Sequence, residues 1–182
     1  MLDFENYPII AAVRTEESFC EALEADVQAI FLLGSSILTI DSFVKRAHEK
    51  GKLLFLHMDF VQGISSDATG VKYLATKGID GVISTRTNII SAASDCGIGS
   101  VQRFFMVDSR FEETALEALR GSRANMVELM PGIAYKAIEK IKQSVRIPII
   151  AGGLIDQKAE VFKALSSGAS AVSTGKKELW VQ

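Results

Sequence analysis

Short apolar runs alternate with amphipathic stretches along the whole chain. Several runs, such as Val27–Leu33 apart from Gln28, and Ile147–Ala151, are apolar rather than alternating, which is typical of strands buried on both faces. Successive runs begin 19 to 28 residues apart, enough for a strand, a short turn and a three-turn helix. The pattern predicts eight strands, beginning near Pro8, Val27, Leu53, Gly81, Val101, Asn125, Pro148 and Ser170.

The stretches between these runs carry the end signals of helices. Thr15 precedes two glutamates and is predicted to cap the first helix, since a hydroxyl and nearby acids suit a helix start. Asp156 is predicted to cap the last long helix, whose expected apolar face is Val161, Phe162 and Leu165. These signals favour helices in every interval between the strands.

Eight strands, seven intervening helices and a truncated helix after the eighth strand predict a (β/α)8 barrel of the TIM type. A chain of 182 residues is short for this α/β fold, so its loops must also be short. No linker or change in composition marks a boundary, and one domain over residues 1–182 is expected. A doubly wound open sheet is the alternative, because a count of units does not prove closure.

Composition and charge restrict the partners and the compartment. The net charge of −2 gives no global field that attracts nucleic acid or a membrane surface. Local basic candidates are 45–52 and the helix with Lys136, Lys140 and Lys142, although solvated helix faces explain both. No apolar run is long enough to span a bilayer, and the acidic N-terminus lacks a secretory signal. With Cys20 and Cys96 expected to be reduced and half-buried, a cytoplasmic protein is predicted.

Two glycine-containing junctions lie near the end of the chain, at Pro148–Leu154 and Ala171–Lys176. Each joins the end of a strand to a helical pattern, where glycine lets the backbone approach a ligand and free amides can bind an anion. Two such junctions in succession resemble the phosphate site of a parallel barrel, whereas the alternative is two ordinary turns with solvated lysines. The predicted donors are the N–H groups of Gly152, Gly153, Thr174 and Gly175 and the hydroxyls of Ser173 or Thr174.

Charged side chains follow several other strands. Asp59 and Glu128 could bind hydroxyl groups of a polyol or act as acid and base; alternatively they pair with Arg14 or Arg86. His57 is interpreted first as a buried structural histidine. Because the chain has only one other histidine, a histidine-rich metal site is excluded, and no strand ends in a lysine suited to a Schiff base. These residue types suit holding a ligand better than turning it over.

Six blocks of sequence occur in the order found in a known family. Together they resemble the glycerol-uptake operon antiterminators, which respond to glycerol-3-phosphate, over nearly the whole chain. One position departs from the usual pattern, since Gly175 replaces a small polar residue after the Ser-Thr pair. The blocks are Phe55–Ile64, Asp80–Arg86, Val101–Ser109, Val127–Gly132, Pro148–Ile155, and Ala171–Thr174 with Leu179–Trp180.

This resemblance implies a regulator that binds leader mRNA of glycerol genes and prevents termination, with glycerol-3-phosphate as its ligand and no other cofactor, metal or catalytic residue. A homodimer is a hypothesis. Two alternatives remain: an enzyme on a phosphorylated three-carbon substrate using Asp59, Glu128 or His57, and a metabolite sensor with a protein partner. The implied ligand-binding residues are Gly152, Gly153, Ser173 and Thr174 for the phosphate, Asp59 and Glu128 for the hydroxyls, and Arg14, Arg86 and Arg103 as charge partners.

Overall fold

The computed structural model describes residues 2–107 and 110–181, so Asp108 and Ser109, at the end of one quoted block, lie outside the described residues. Eight parallel strands form the barrel: β1 (Ile9–Val13), β2 (Ala29–Leu32), β3 (Leu53–His57), β4 (Gly81–Ser84), β5 (Gly99–Phe105), β6 (Met126–Met130), β7 (Ile149–Gly152) and β8 (Ala171–Thr174). The hydrogen-bonded order is β1-β8-β7-β6-β5-β4-β3-β2, and the ring is closed. The predicted barrel is confirmed, and the open sheet is wrong.

Seven α-helices, counted over the described residues, cover the outside of the barrel. They are α1 (Glu16–Glu24), α2 (Ile40–Glu49), α3 (Ala68–Thr76), α4 (Thr87–Asp95), α5 (Phe111–Arg120), α6 (Tyr135–Ser144) and α7 (Lys158–Ser166). After β8 the described residues form a 3-10 turn, Lys177–Leu179, which agrees with the predicted truncation of the last helix. A pair of two-residue strands, Ser35–Ser36 and Val61–Gln62, lies in the loops after β2 and β3.

Alternating side chains of the strands fill two separate apolar regions. Ile10, Phe31 and Val101 belong to the cluster inside the barrel, which includes side chains from all eight strands. Their neighbours in sequence, such as Ala11 and Leu32, pack outward against the helices. The outer clusters explain why the strands are apolar throughout, since both of their faces are buried.

The predicted helix ends were right in one case and wrong in another. The Thr15 hydroxyl accepts a hydrogen bond from Ser18 N, and Thr15 N donates the reciprocal bond to the Ser18 hydroxyl, which confirms Thr15 as the cap of α1. Asp156 is not the cap of α7; Gln157 holds that position, and Glu160 accepts hydrogen bonds from the backbone N–H groups of both residues. The helix therefore starts later, because a glutamate inside its first turn reaches back to satisfy the N-terminal amides.

Phe162, expected on a buried helix face, and Cys20, expected to be half-buried, are both exposed. Phe162 on α7 is 70% exposed, because the helix buries the side of Val161 and Ala164 instead. Cys20 is a free and exposed thiol, within hydrogen-bond distance of Arg46, whereas Cys96 is free and half-buried as predicted.

No helix among the described residues has both the length and the apolar character needed to cross a membrane. That residues 1–182 form one domain stays a prediction.

Candidate functional site

The candidate site lies inside the barrel at the carboxyl ends of the strands. His57, Arg103 and Glu128 each follow by two positions an apolar residue of the interior cluster, namely Phe55, Val101 and Met126. Side chains two apart on a strand share a face, so these polar groups also point into the barrel. All three are buried in the folded chain. A polar layer thus closes the top of an otherwise apolar barrel interior.

Glu128 stands at the centre of this layer. Its Oε2 accepts a hydrogen bond of 2.5 Å from Arg103 Nε, and its Oε1 accepts one of 2.5 Å from the Ser173 hydroxyl. Arg103 and Glu128 are register partners on β5 and β6, so their side chains leave the sheet side by side. Only 5% and 1% of these side chains are exposed. Arg103 thus provides the counter-charge without which a buried carboxylate would be costly.

Gly152 is adjacent to this carboxylate. It pairs in register with Ser173 across β7 and β8, and a Cβ placed on it would overlap Glu128 Oε1 and lie 2.8 Å from the Ser173 hydroxyl oxygen. The missing side chain therefore makes room for the Glu128–Ser173 hydrogen bond. The sequence suggested that this glycine is required by a phosphate, but the packing of Glu128 is a sufficient reason for it.

The backbone turns sharply just after this position. Gly153 has φ +75° and Leu154 has φ 59°, both in the left-handed region. A glycine adopts that conformation without strain, whereas Leu154 is a rare non-glycine residue there. The Gly152 and Gly153 carbonyls accept hydrogen bonds from Gly132 N, which holds the turn against the loop after β6. The first glycine junction is therefore a fixed turn beside the polar layer.

Ser173 and Thr174 face opposite sides of β8. Ser173 points inward to Glu128, whereas the Thr174 hydroxyl donates to the Ile155 carbonyl at 2.8 Å and accepts from Lys176 N at 3.1 Å. The Thr174 carbonyl also accepts a hydrogen bond from the indole of Trp180. Both hydroxyls thus have partners within the chain, and those of Thr174 anchor the final turn. Gly175 follows at the mouth, and its role toward a phosphate stays a prediction.

A second cluster surrounds Asp59, in the 3-10 turn after β3. Arg86 pairs with this carboxylate through two nitrogens, and Ser66 and Ser84 donate hydrogen bonds to it at 3.1 and 3.2 Å. Burial alone would raise the pKa of Asp59, but the hydrogen bonds from Arg86 and Ser66 outweigh it and lower the pKa. The alternative stated for this residue, pairing with Arg86, is therefore what the structure contains.

His57 lies between the two clusters. Its Nδ1 is 3.7 Å from Asp59 Oδ2 and has no hydrogen-bond partner among the described residues, and its ring stacks on Phe60. Burial first, and then the positive charge of Arg103, lower the pKa of His57 to about 4, although Asp59 acts in the opposite direction. The positive charge of Arg14, an exposed residue just after β1, lowers the pKa of His57 further, so its field reaches the barrel interior. His57 is therefore neutral at pH 7.

The lowered pKa of His57 predicts acid sensitivity. An unfolded histidine takes up its proton near pH 6.5, whereas the folded one does so only near pH 4. Between these values the unfolded state binds more protons, so we expect stability to fall by up to about 3 kcal/mol as the pH drops through this window. Urea unfolding of the wild type and His57→Gln from pH 7.5 to 4 measures the difference. An equal pH dependence of both proteins would contradict the prediction.

The sequence analysis missed Ser66, and the residues that it did predict do not form one cluster in the structure. No pattern marks Ser66, which bonds both Asp59 and Arg86 from the loop before α3. The ten predicted ligand-binding residues lie toward or just beyond the carboxyl ends of the strands. Nine of them separate into the Glu128 cluster, the Asp59 cluster and the two glycine junctions, and Arg14, after β1, belongs to none of these groups. No group of three or more potential metal-ligating residues exists among the described residues.

The sequence pattern of the glycerol-3-phosphate responsive antiterminator family matches residues 9–180, from the first strand of the barrel to Trp180. The chain belongs to this family. The resemblance carried by the six sequence blocks is thereby confirmed, and with it the antitermination and glycerol-3-phosphate context of the family. The match covers every element that contributes to the polar layer.

Related proteins agree with this assignment to the antiterminator family. The glycerol uptake operon antiterminator regulatory protein of Listeria monocytogenes is 35% identical, with a TM-score of 0.93 over 98% of this chain and 97% of its own. An antiterminator-related protein of Thermotoga maritima is 32% identical, with a TM-score of 0.85 over 96% and 98%. An uncharacterized Escherichia coli K12 protein, YgcP, is 31% identical over 95% of this chain and 91% of its own.

More distant structures share the fold alone. An aldolase with 14% identity has a TM-score of 0.72 over 97% of this chain and 93% of its own. Because parallel barrels support many unrelated activities, this likeness says nothing about chemistry. The antiterminator family, in contrast, is a family of regulatory proteins.

Proposed function

We propose that this member of the antiterminator family binds glycerol-3-phosphate at the mouth of its barrel and, in the bound state, binds leader mRNA of glycerol genes so that transcription continues past a terminator. In this proposal the protein acts in the cytoplasm, as a homodimer, without a metal or a further cofactor. The observation that carries the proposal is the polar layer around Glu128, beside two glycine junctions, in a chain of this family.

The proposed phosphate position is the pair of glycine junctions. Gly153 and Gly175 leave backbone accessible there, Gly152 lies buried beside them, and Ser173 would add its hydroxyl by turning away from Glu128. A carboxylate beside a phosphate would repel it, but Arg103 already neutralises Glu128. Arg14 follows β1, which pairs with β8, so it lies beside the second junction, where its exposed guanidinium could reach the anion.

The glycerol hydroxyls would meet the opposite side of the mouth. Asp59 is about one-fifth exposed and keeps acceptor capacity beside Arg86, and Glu128 supplies the deeper acceptor. Binding here would engage the loops after β3, β7 and β8 together. A ligand that contacts several loops favours the arrangement in which they are close together, and it thereby shifts the population toward one conformation.

The state of the polar groups supports binding rather than turnover. An effective general base is unprotonated, free to reach the proton that it removes, and has a pKa near the working pH. Glu128 is bonded to Arg103 and Ser173, Asp59 to Arg86, and His57 has a pKa of about 4 and is buried. We therefore propose that the protein is a sensor without catalytic residues.

A gel shift with the leader RNA of glycerol genes tests the proposed function. We expect glycerol-3-phosphate to strengthen RNA binding by about 10-fold or more, the coupling typical of an allosteric ligand. The affinity should fall as salt increases, because contacts to phosphates release counter-ions. Inorganic phosphate serves as the ligand control, and an unrelated RNA of equal length as the RNA control. Two outcomes would count against the regulatory mechanism. One is an RNA shift of the same strength with and without glycerol-3-phosphate, and the other is no RNA shift under either condition.

A further inference from the structure

Exposed apolar side chains are concentrated at one end of the barrel. Among the described residues, nine large apolar side chains are exposed, and only Phe162 and Val181 lie away from the mouth. The other seven lie at or just beyond the carboxyl ends of the strands, and we call them the mouth rim. The rim is formed by Ile37, Leu38 and Phe60 on one side and by Phe105, Val107, Ile133 and Leu154 on the other.

The two sides of the rim are held by the fold. Ile37 N donates to the Gln62 carbonyl, which fixes the loop after β2 against the loop after β3. On the other side, Met106 N donates to the Met130 carbonyl, and Gly132 N to those of Gly152 and Gly153. The loops after β5, β6 and β7 are thereby joined to one another. The loops that carry the rim side chains are therefore held in place on each side of the mouth.

We infer that the mouth rim is the interface through which two copies of this chain form the homodimer. The inference rests on the homodimer of the proposed function and names its surface; it does not depend on RNA or on the identity of the ligand. Leu38 and Val107, one on each side of the mouth, are 90% and 84% exposed. The largest apolar patch on a soluble protein is often a functional surface.

The size of the rim suits a dimer. A large apolar side chain presents roughly 150–200 Å² when fully exposed, so the seven together present on the order of 600 Å². A standard interface buries about 800 Å² on each partner, somewhat more than half of it apolar. The rim alone therefore supplies the apolar part of such an interface, with polar loop atoms completing the area.

The charges of the mouth favour a second copy over nucleic acid. Arg86 is paired with Asp59, and Lys176 lies 3.8 Å from Asp156, so these cations are largely neutralised within the chain. A polyanion is attracted by clusters of unpaired cations, so these two paired residues offer it little. Two identical faces with charges paired in this way can meet without strong repulsion, and two-fold symmetry makes each contact occur twice.

Sedimentation velocity of the unliganded chain, from about 1 to 100 μM, tests the interface, since this range detects micromolar dimers. We expect a dimer for the wild type, and a dimer dissociation constant at least about 10-fold higher for both Leu38→Asp and Val107→Asp. Phe162→Asp is the matched control, because it places the same charge on another exposed apolar residue; it should leave the dimer unchanged. Unfolding temperatures of all variants confirm that they fold.

Each other outcome overturns the inference. If both rim variants still dimerise, the interface lies elsewhere on the protein. If only Phe162→Asp prevents dimerisation, the interface is the outer face of α7. In both cases the chain is a homodimer, but not through the rim. A wild type that is monomeric throughout removes the homodimer as well, while the ligand and RNA proposals remain open to their own tests. If the rim variants leave the mass unchanged but weaken the RNA shift, the rim is an RNA surface instead.

Discussion

Replacing Glu128 by glutamine is expected to lower the free energy of unfolding by about 3–5 kcal/mol. The substitution keeps the shape of the side chain but leaves Arg103 buried without a counter-charge. It also weakens the hydrogen bond that Ser173 donates to the carboxylate. For a chain of this length the loss corresponds to a fall in Tm on the order of 10 °C. Urea and thermal unfolding at pH 7.5 measure it.

Two further variants separate charge from packing. Glu24→Gln removes an exposed ion pair with Lys50 and should change stability by less than about 0.5 kcal/mol. Combining Arg103→Met with Glu128→Gln removes both charges and should recover most of the loss, because the penalty comes from the unpaired cation. If Glu128→Gln costs no more than Glu24→Gln, the buried pair does not organise the barrel interior.

The second large effect concerns the ligand. Gly153→Val is expected to abolish the thermal stabilisation by glycerol-3-phosphate, which should be about 2.7 kcal/mol for the wild type at a ligand concentration of 100 Kd. A valine here takes up the space beside the turn and disfavours φ +75°. Its Cβ would also lie 2.8 Å from the end of the Met130 side chain. We expect the fold to persist at a cost of about 1–3 kcal/mol.

Gly168→Val is the matched control for Gly153→Val. Gly168 has φ +102°, and a Cβ there would lie 2.9 Å from the flexible side chain of Lys142. The strain is thus similar, but the position follows α7 and precedes β8, at the opposite end of the barrel. This variant should lose stability and keep its response to the ligand. A Gly153→Val protein that is still fully stabilised by glycerol-3-phosphate would show that the phosphate binds elsewhere.

Much of the fold could be predicted from the sequence because it depends on local periodicity. Strands apolar on both faces, separated by intervals each long enough for one helix, left few architectures to choose between. Helix ends were less certain: Thr15 caps α1, but Glu160 rather than Asp156 satisfies the start of α7. The prediction that Phe162 lies on the buried face of α7 was also wrong. The rotation of a helix on a barrel depends on contacts with other elements, which the sequence of one segment does not contain.

The sequence predicted which residues lie at the candidate site, but not which of them contact one another. The sequence placed Glu128, Asp59 and the two glycine junctions at strand ends, because parallel strands bring their carboxyl ends to the same side. It did not distinguish Ser173 from Thr174, although one points into the barrel and the other supports the final turn. It assigned Arg103 only a candidate role, whereas that residue neutralises the buried carboxylate.

The sequence by itself determined the barrel, the family and the strand ends where polar groups gather, because periodicity and short blocks of residues carry that information along the chain. The tertiary structure alone decided which groups meet: Arg103 with Glu128, Arg86 with Asp59, and the apolar loops of the mouth with one another. These residues are 20 or more positions apart, and their contacts depend on the stagger of the closed sheet. That stagger fixes which side chains share a layer, and no local pattern records it.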